Sequence, residues 1–322
     1  MRRRDVLGGG LVAGLLAACS TTETGAPVAD PPHPDVLRGQ AEHVLAEVDT
    51  ALARAFSARN PRLLGTRVVG PAGRELTARI EVAAARRRTL PAPGRMTVQR
   101  LGLPVAGAWP RWFLAAGTLA GEPTPVLRVL RSLTARDPYG LWGELLLLPG
   151  ASLPELASPM TGTPLVAADD GSSLVRSPSA VLSGYARALM TGSTGGGFAP
   201  DQFREQVAGQ VTADRRTLGT SGLADVSSVH RPSADGLLAV RTQDGGALVV
   251  GALEQLYRVT VRSPKGTVTL DPDLAALAKL PRIGRSLQRT SVEILAFQVP
   301  PAGGGAVSLV AAAKGDVSAI GS

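Results

Sequence analysis

The stretch from Val6 to Ala18 constrains everything downstream of it. It is thirteen residues of Val, Leu, Ala and Gly without a charge, with Arg2, Arg3 and Arg4 before it and Cys19 after it. As a helix it would rise about 20 Å, well short of the roughly 30 Å hydrocarbon core of a bilayer, so it is too short for a permanent span. A positive n-region, a short apolar run and small residues at its end make the profile of a signal peptide. A chain with such a leader is expected to reside outside the cytoplasm. Cys19 is the single cysteine of the sequence, and an odd thiol in an exported protein has no internal disulfide partner and asks for another use.

Leu16-Ala17-Ala18-Cys19 resembles the lipobox of bacterial lipoproteins. The resemblance implies cleavage between Ala18 and Cys19, a diacylglyceryl group on the Cys19 sulfur, and a mature protein held on the outer face of the cytoplasmic membrane, where two acyl chains anchor stably and one would be marginal. Arg3-Arg4-Asp5-Val6-Leu7 is similar to the twin-arginine export pattern, and the twin-arginine and general secretory routes both stay open.

From Cys19 the mature chain has 304 residues, the length of one large or two ordinary domains, and a 44% hydrophobic composition supplies a core. Of the 34 basic residues only Lys265, Lys279 and Lys314 are lysine, and 38 Gly and 25 Pro accompany them, the usage of a GC-rich, actinobacterial genome. Removing three Arg and one Asp with the leader lowers the net charge from +8 to +6, a balance attracted to an anionic membrane surface. An exported chain rarely meets nucleic acid, and no nucleic-acid motif is present. Arg86-Arg87-Arg88 ends an expected helix, where cations suit the dipole.

Residues 19–34 carry the lipidated Cys and a Thr-, Pro- and Gly-rich tether without periodic pattern, which reads as disordered. Asp35 is expected to cap a helix whose stripe is Leu37, Ala41, Val44, Leu45, Val48, Leu52, Ala55 and Phe56, ended by Asn60-Pro61. A second helix is expected over 73–88 after a Gly70-Pro71 break, then strands over 96–103, 109–119, 126–134 and 141–148. After a Ser-, Pro- and Gly-rich linker at 159–177 the pattern restarts. Helices are expected over 178–190 and 200–218, and strand-like runs over 224–229, 237–242, 247–255, 256–263, 267–270, 291–299 and 306–313. Residues 134–140 and 260–266 share T-x-R-x-P-x-G, the chemistry of a hairpin connection. Leu153-Pro154-Glu155-Leu156 and Leu274-Ala275-Ala276-Leu277 follow in parallel. The fold class expected is therefore α+β, with two duplicated domains over 35–158 and 178–322, each a pair of helices on a curved antiparallel sheet.

On the lipobox, the tether, the element order and the repeated turn, the chain resembles uncharacterised actinobacterial lipoproteins with two nuclear-transport-factor-2-like (cystatin-like cone) halves. That resemblance implies a fold and a location, with no activity and no catalytic residues to carry over. It also implies that any ligand of a cone-shaped half would sit between its helix and its sheet.

The residues exclude several chemistries. The three histidines are His33 in the tether, His43 on the first helix and His230 at an expected strand end; none is read as having a Cys, Asp, Glu or second His at ligand spacing, so no metal or cofactor is expected. Asp169-Asp170-Gly171-Ser172 and Asp271-Pro272-Asp273 lack the spaced oxygens of a calcium loop and read as a linker turn and a helix start. No serine-nucleophile elbow is present. Gly195-Gly196-Gly197 lacks the frame of a phosphate loop. Trp109, Trp112, Phe113, Tyr139 and Trp142 fall within 34 positions, and Trp109, Trp112 and Trp142 are the candidate partner-binding residues, against a core reading for the same rings. The function expected is a non-catalytic, membrane-anchored lipoprotein binding an envelope protein or lipid. The alternatives are a solute or lipid carrier with a pocket in one half, and an enzyme with an acid or base in that pocket.

Overall fold

The computed structural model describes residues 33–157, 161–192, 196–219 and 222–322. Ala18, Cys19, the leader and the tether up to residue 32 lie outside the described residues, as does Gly195.

Helix α1, Arg38–Ala58, buries Ala41, Leu45, Val48, Leu52, Ala55 and Phe56 of the expected stripe, whereas Val44 is half-buried and Leu37 lies just before the helix and is exposed. Asp35 does not cap it. Its first turn is closed by the Leu37 N–H donating to Gln40 Oε1 at 3.0 Å, and the Asp35 carboxylate is drawn to Arg111 instead. A short 3-10 turn, Pro61–Arg67, follows. Helix α2, Gly70–Ala85, begins at the Gly-Pro pair read as a break, because proline fits the first helical position, where its missing N–H costs nothing.

Four strands form a meander: β1 Met96–Gly102, β2 Arg111–Leu119, β3 Val126–Ser132 and β4 Gly140–Leu147. Helices α3 Pro178–Thr191 and α4 Gln202–Asp214 then precede β5 Ala224–Arg241 and β6 Ala247–Val261. A small excursion of β7 Val268–Thr269, α5 Pro272–Ala278 and β8 Arg282–Ile283 leads to β9 Ser286–Val299 and β10 Ser308–Gly321. The runs expected as 247–255 and 256–263 are thus one strand, and those at 224–229 and 237–242 are one strand with an irregularity between Pro232 and Leu237.

All eight long strands make one antiparallel sheet in the order β1-β2-β3-β4-β10-β9-β6-β5. Each pair of helices is followed by a four-stranded meander, and the meanders meet last strand to last strand. Their seam is narrow: Ala311 pairs with Leu147 and Ala312 with Leu146. The repeated turn does not mark equivalent places in this order. Its first copy joins the third and fourth strands of one meander, and its second follows the second strand of the other. The parallel Leu-spaced stretches also differ, since 274–277 lies in α5 and 153–156 is not helical.

Alternation along the strands decides the layers. On β2, Phe113 and Ala115 pack with α1 and α2, while Trp112 and Leu114 point the other way. On β6, Val249 and Leu253 pack with α3 and α4, while Leu248, Val250 and Ala252 turn away from them. The two turned-away faces share one apolar cluster, in which Trp112, Leu127 and Leu145 meet Leu238, Val250 and Ile294. The sheet therefore folds back at its seam into two leaves. The linker is stitched between them: Thr163 N–H donates to the Leu103 carbonyl at 2.8 Å, and Val166 N–H to that of Ala239 at 2.8 Å.

Candidate functional site

In both leaves the space between helix and sheet is filled. Phe56, Phe113 and Leu130 occupy it in the first; Tyr185, Phe198 and Phe297 occupy it in the second, with Tyr185 5.4 Å and 5.0 Å from the other two rings. The open space lies elsewhere. At the seam, β4 and β10 pair over two positions only, and α2 lies along it. Between α2, the 91–94 connection, the β2–β3 turn and β10 runs a groove of about 530 Å³.

Glu75 of α2 and Glu144 of β4 line this groove beside apolar Leu76, Leu119, Leu146 and Ile294, with Arg79 and Lys314 at its sides. Three carboxylates come near one another here, and two are taken. Glu144 Oε2 accepts from Arg128 Nε at 2.7 Å, and Asp316 Oδ1 accepts from Ser291 Oγ at 2.6 Å. Glu75 forms no hydrogen bond or ion pair among the described residues. Burial pushes its pKa up to about 7; Arg79 works against the rise, and Glu144 and Asp316 add to it. Gly315 of β10 makes room for it, since a Cβ there would stand 2.1 Å from Glu75 Cγ. Glu75 is thus a recessed carboxyl with a raised pKa and no hydrogen bond among the described residues, in a groove lined by apolar side chains and by Arg79, Glu122, Glu144 and Lys314, and such groups cluster at functional sites. A depression of about 590 Å³ beside Gly65 and Thr77 is shallower and has no such group.

Two buried polar networks flank the sheet. Arg128, fully buried, donates from Nη1 to Asp49 Oδ1 of α1 at 2.6 Å and from Nε to Glu144. Burial opposes its charge, yet the two carboxylates hold its pKa above the ordinary value. In the second leaf, His230 Nδ1 lies 2.8 Å from Glu293 Oε2 and its Nε2 is 3.2 Å from Ser228 Oγ. This has the connectivity of a nucleophile, a base and an acid. However, Gln255 Nε2 donates to Ser228 Oγ at 2.9 Å, and Lys314 Nζ donates to Gln255 Oε1 at 2.6 Å and to Glu293 Oε1 at 3.2 Å. Ser228, His230, Gln255, Glu293 and Lys314 are thus bonded to one another, an arrangement that compensates the charges it buries.

Two readings of the histidines are corrected. His43 does have a carboxylate at helical spacing: its Nε2 is 3.5 Å from Glu47 Oε1, an exposed pair. His230 sits within β5, with a partner 63 positions away that spacing along the chain could not signal. No group of three His, Cys, Asp or Glu able to hold a metal occurs among the described residues. Asp169 accepts from Ser179 Oγ at 2.9 Å; Asp170 accepts from Ser172 Oγ at 2.8 Å and from the Ser172 N–H at 3.1 Å, and these two Ser172 bonds lower the pKa of Asp170. Asp271 caps α5 through the Leu274 N–H at 3.0 Å. Arg86 and Arg88, read as a solvated helix end, both grip Asp273.

The three tryptophans divide. Trp112 and Trp142 are buried as a T-shaped pair 5.3 Å apart, inside the cluster between the leaves. Trp109 is 38% exposed, with the Arg111 guanidinium 4.7 Å over its ring. Phe113 is core, and Tyr139 packs on it at 5.2 Å.

Helix pairs outside a folded antiparallel sheet, with one recessed carboxyl in the groove at its seam, define an α+β protein with a candidate site at that seam. Within that class, the chain belongs to the family described as Domain of unknown function (DUF8094), which matches residues 32–320. It is 28% identical over 284 residues to an uncharacterized lipoprotein of Streptomyces avermitilis, covering 83% of this chain and 81% of the relative. No solved structure matches.

Proposed function

We propose that the protein is a lipid-anchored binding protein on the outer face of the cytoplasmic membrane, tethered through Cys19, with its ligand held in the Glu75 groove. Three points support the location. The relative is named a lipoprotein, the leader ends in a lipobox-like segment, and no described helix is long and apolar enough to cross a membrane. Export runs by the twin-arginine or the general secretory route. The proposal includes cleavage after residue 18, a tether at 19–34, and descent of 35–158 and 178–322 from one duplicated cone-like unit, joined by 159–177. The shared order of two helices and four strands supports the duplication.

Glu75 carries the binding reading. Burial disfavours charge of either sign there, but the Glu144 and Asp316 carboxylates that help raise its pKa would attract a positive group. The ligand class is an amine with an apolar body. At pH 8, octylamine should bind at least about tenfold more tightly than octanol by calorimetry, a difference of about 1.4 kcal/mol. Glu75→Gln should erase the preference. Equal affinities for the two probes in the wild-type protein would refute the site. Separately, Cys19→Ser should move the protein from the membrane to the soluble fraction; unchanged partition would refute the anchor.

A further inference from the structure

We infer that the body rests directly on the bilayer, through the end of the first leaf where Trp109, Leu133 and Leu37 are exposed, adding a side-chain contact with phospholipid to the lipid anchor. This goes beyond ligand binding and rests on the anchoring at Cys19 proposed above.

The argument starts from where the chain joins the body. Fourteen positions separate Cys19 from His33; fully extended they reach about 50 Å, and as a flexible chain about 20 Å. The His33 carbonyl accepts from the Ala106 N–H at 2.8 Å, and the Asp35 N–H donates to the Pro104 carbonyl at 2.9 Å. Gly107 N–H donates to the Asp35 carboxylate at 3.2 Å. The β1–β2 connection is therefore the part of the body fastened to the tether, and the short tether keeps it near the membrane.

That connection carries Trp109. The register pairing Arg111 with Ser132 brings Leu133, 53% exposed, to the same end of the leaf, and α1 begins there with Leu37, 63% exposed. These are three of the exposed large apolar side chains of the molecule, and nothing else in the described structure covers them. The charges around them are nearly balanced. Asp35 faces Arg111 at 3.3 Å, Glu42 faces Arg38 at 3.4 Å, and Asp137 accepts from Thr134 Oγ1 at 2.7 Å beside exposed Arg136. A tryptophan with an arginine on its face, at one end of the leaf with two exposed leucines and paired charges, suits the headgroup layer, where amphipathic rings settle. A soluble acidic partner would need unpaired cations instead. The Glu75 groove borders Leu119, at the opposite end of β2 from Arg111, so this seating leaves it open to the envelope.

Cys19 is the only thiol, so the mature chain can be coupled through it to a maleimide lipid in phosphatidylglycerol–phosphatidylcholine vesicles with brominated acyl chains, whatever the cell does to Cys19. Trp112 and Trp142 are buried, so bromine should quench the share of the emission that comes from Trp109. Trp109→Ala should abolish the quenching, and Leu133→Asp should reduce it severalfold, both with an unchanged circular dichroism spectrum. A coupled wild-type chain with unquenched emission would overturn the inference, as would quenching that survives in Trp109→Ala. Either result leaves the anchor to be judged by the partition of Cys19→Ser.

Discussion

Glu75 shows how one side chain can tie stability to pH. Its folded pKa, about 7, stands above the ordinary carboxyl value of 4.5, so between those values the folded state binds more protons than the unfolded one. Stability therefore falls as pH rises from about 4.5 to 7 and is flat above, and the cost is at most about 2 to 3 kcal/mol, since the groove admits water. Glu75→Gln should raise the melting temperature at pH 8 and leave it nearly unchanged at pH 4.5; a uniform shift at both pH values would contradict this account. A second residue is fixed by geometry. Gly70 has φ +57° and faces the Trp142 indole, where a Cβ would stand 2.6 Å from Cδ1. Gly70→Ala should cost about 2 kcal/mol or more in urea unfolding. The need for glycine there was hidden in the sequence, because the clashing ring lies 72 positions away. Likewise the cluster of aromatic residues near Trp109 was legible as a group, but only the folded leaves separate buried Trp112 and Trp142 from exposed Trp109.

Among elements, β6 is the most instructive. Two runs were expected here, 247–255 and 256–263, yet the strand continues through Gln255, paired with His230 and Ser291 on either side, and its side chain is bonded to Ser228 and to Lys314. The cluster of His230, Glu293, Lys314 and Gln255 comes from four different strands. Removing one charge strands another in the interior, so Lys314→Met or Glu293→Leu should each cost about 3 to 5 kcal/mol, while replacing both should cost less than the sum. A denaturant titration of the two single variants and the double variant checks this; additive losses would show that the charges act independently. Helices α1 to α4 and strands β1 to β4 were readable within a few residues, since apolar spacing is a local property. The full reach of β5 and β10 was not, because the middle of β5 and the distal half of β10 are held by pairing with β6 and β9.

At the scale of the molecule, the fold depends on a cluster that neither half completes. Trp112, Leu127 and Leu145 of one leaf cover Val250 and Ile294 of the other, and Pro32–Ser322 forms one compact unit. Unfolding of the body should be a single cooperative transition, and a chain of residues 178–322 alone should bind a hydrophobic dye and self-associate, because its half of the cluster would be bare. Two resolved calorimetric transitions would instead mean leaves that fold separately. The sequence by itself determined the lone Cys19, the helices, most strands and their α+β order, all of which follow from residues close together along the chain. Only the tertiary structure decided that the strands join in one sheet and that the spaces under the helices are filled, and it alone left Glu75 without a partner at the seam. Those outcomes depend on which distant surfaces meet, and the apolar and charged residues that meet there carry no spacing along the chain that would announce it.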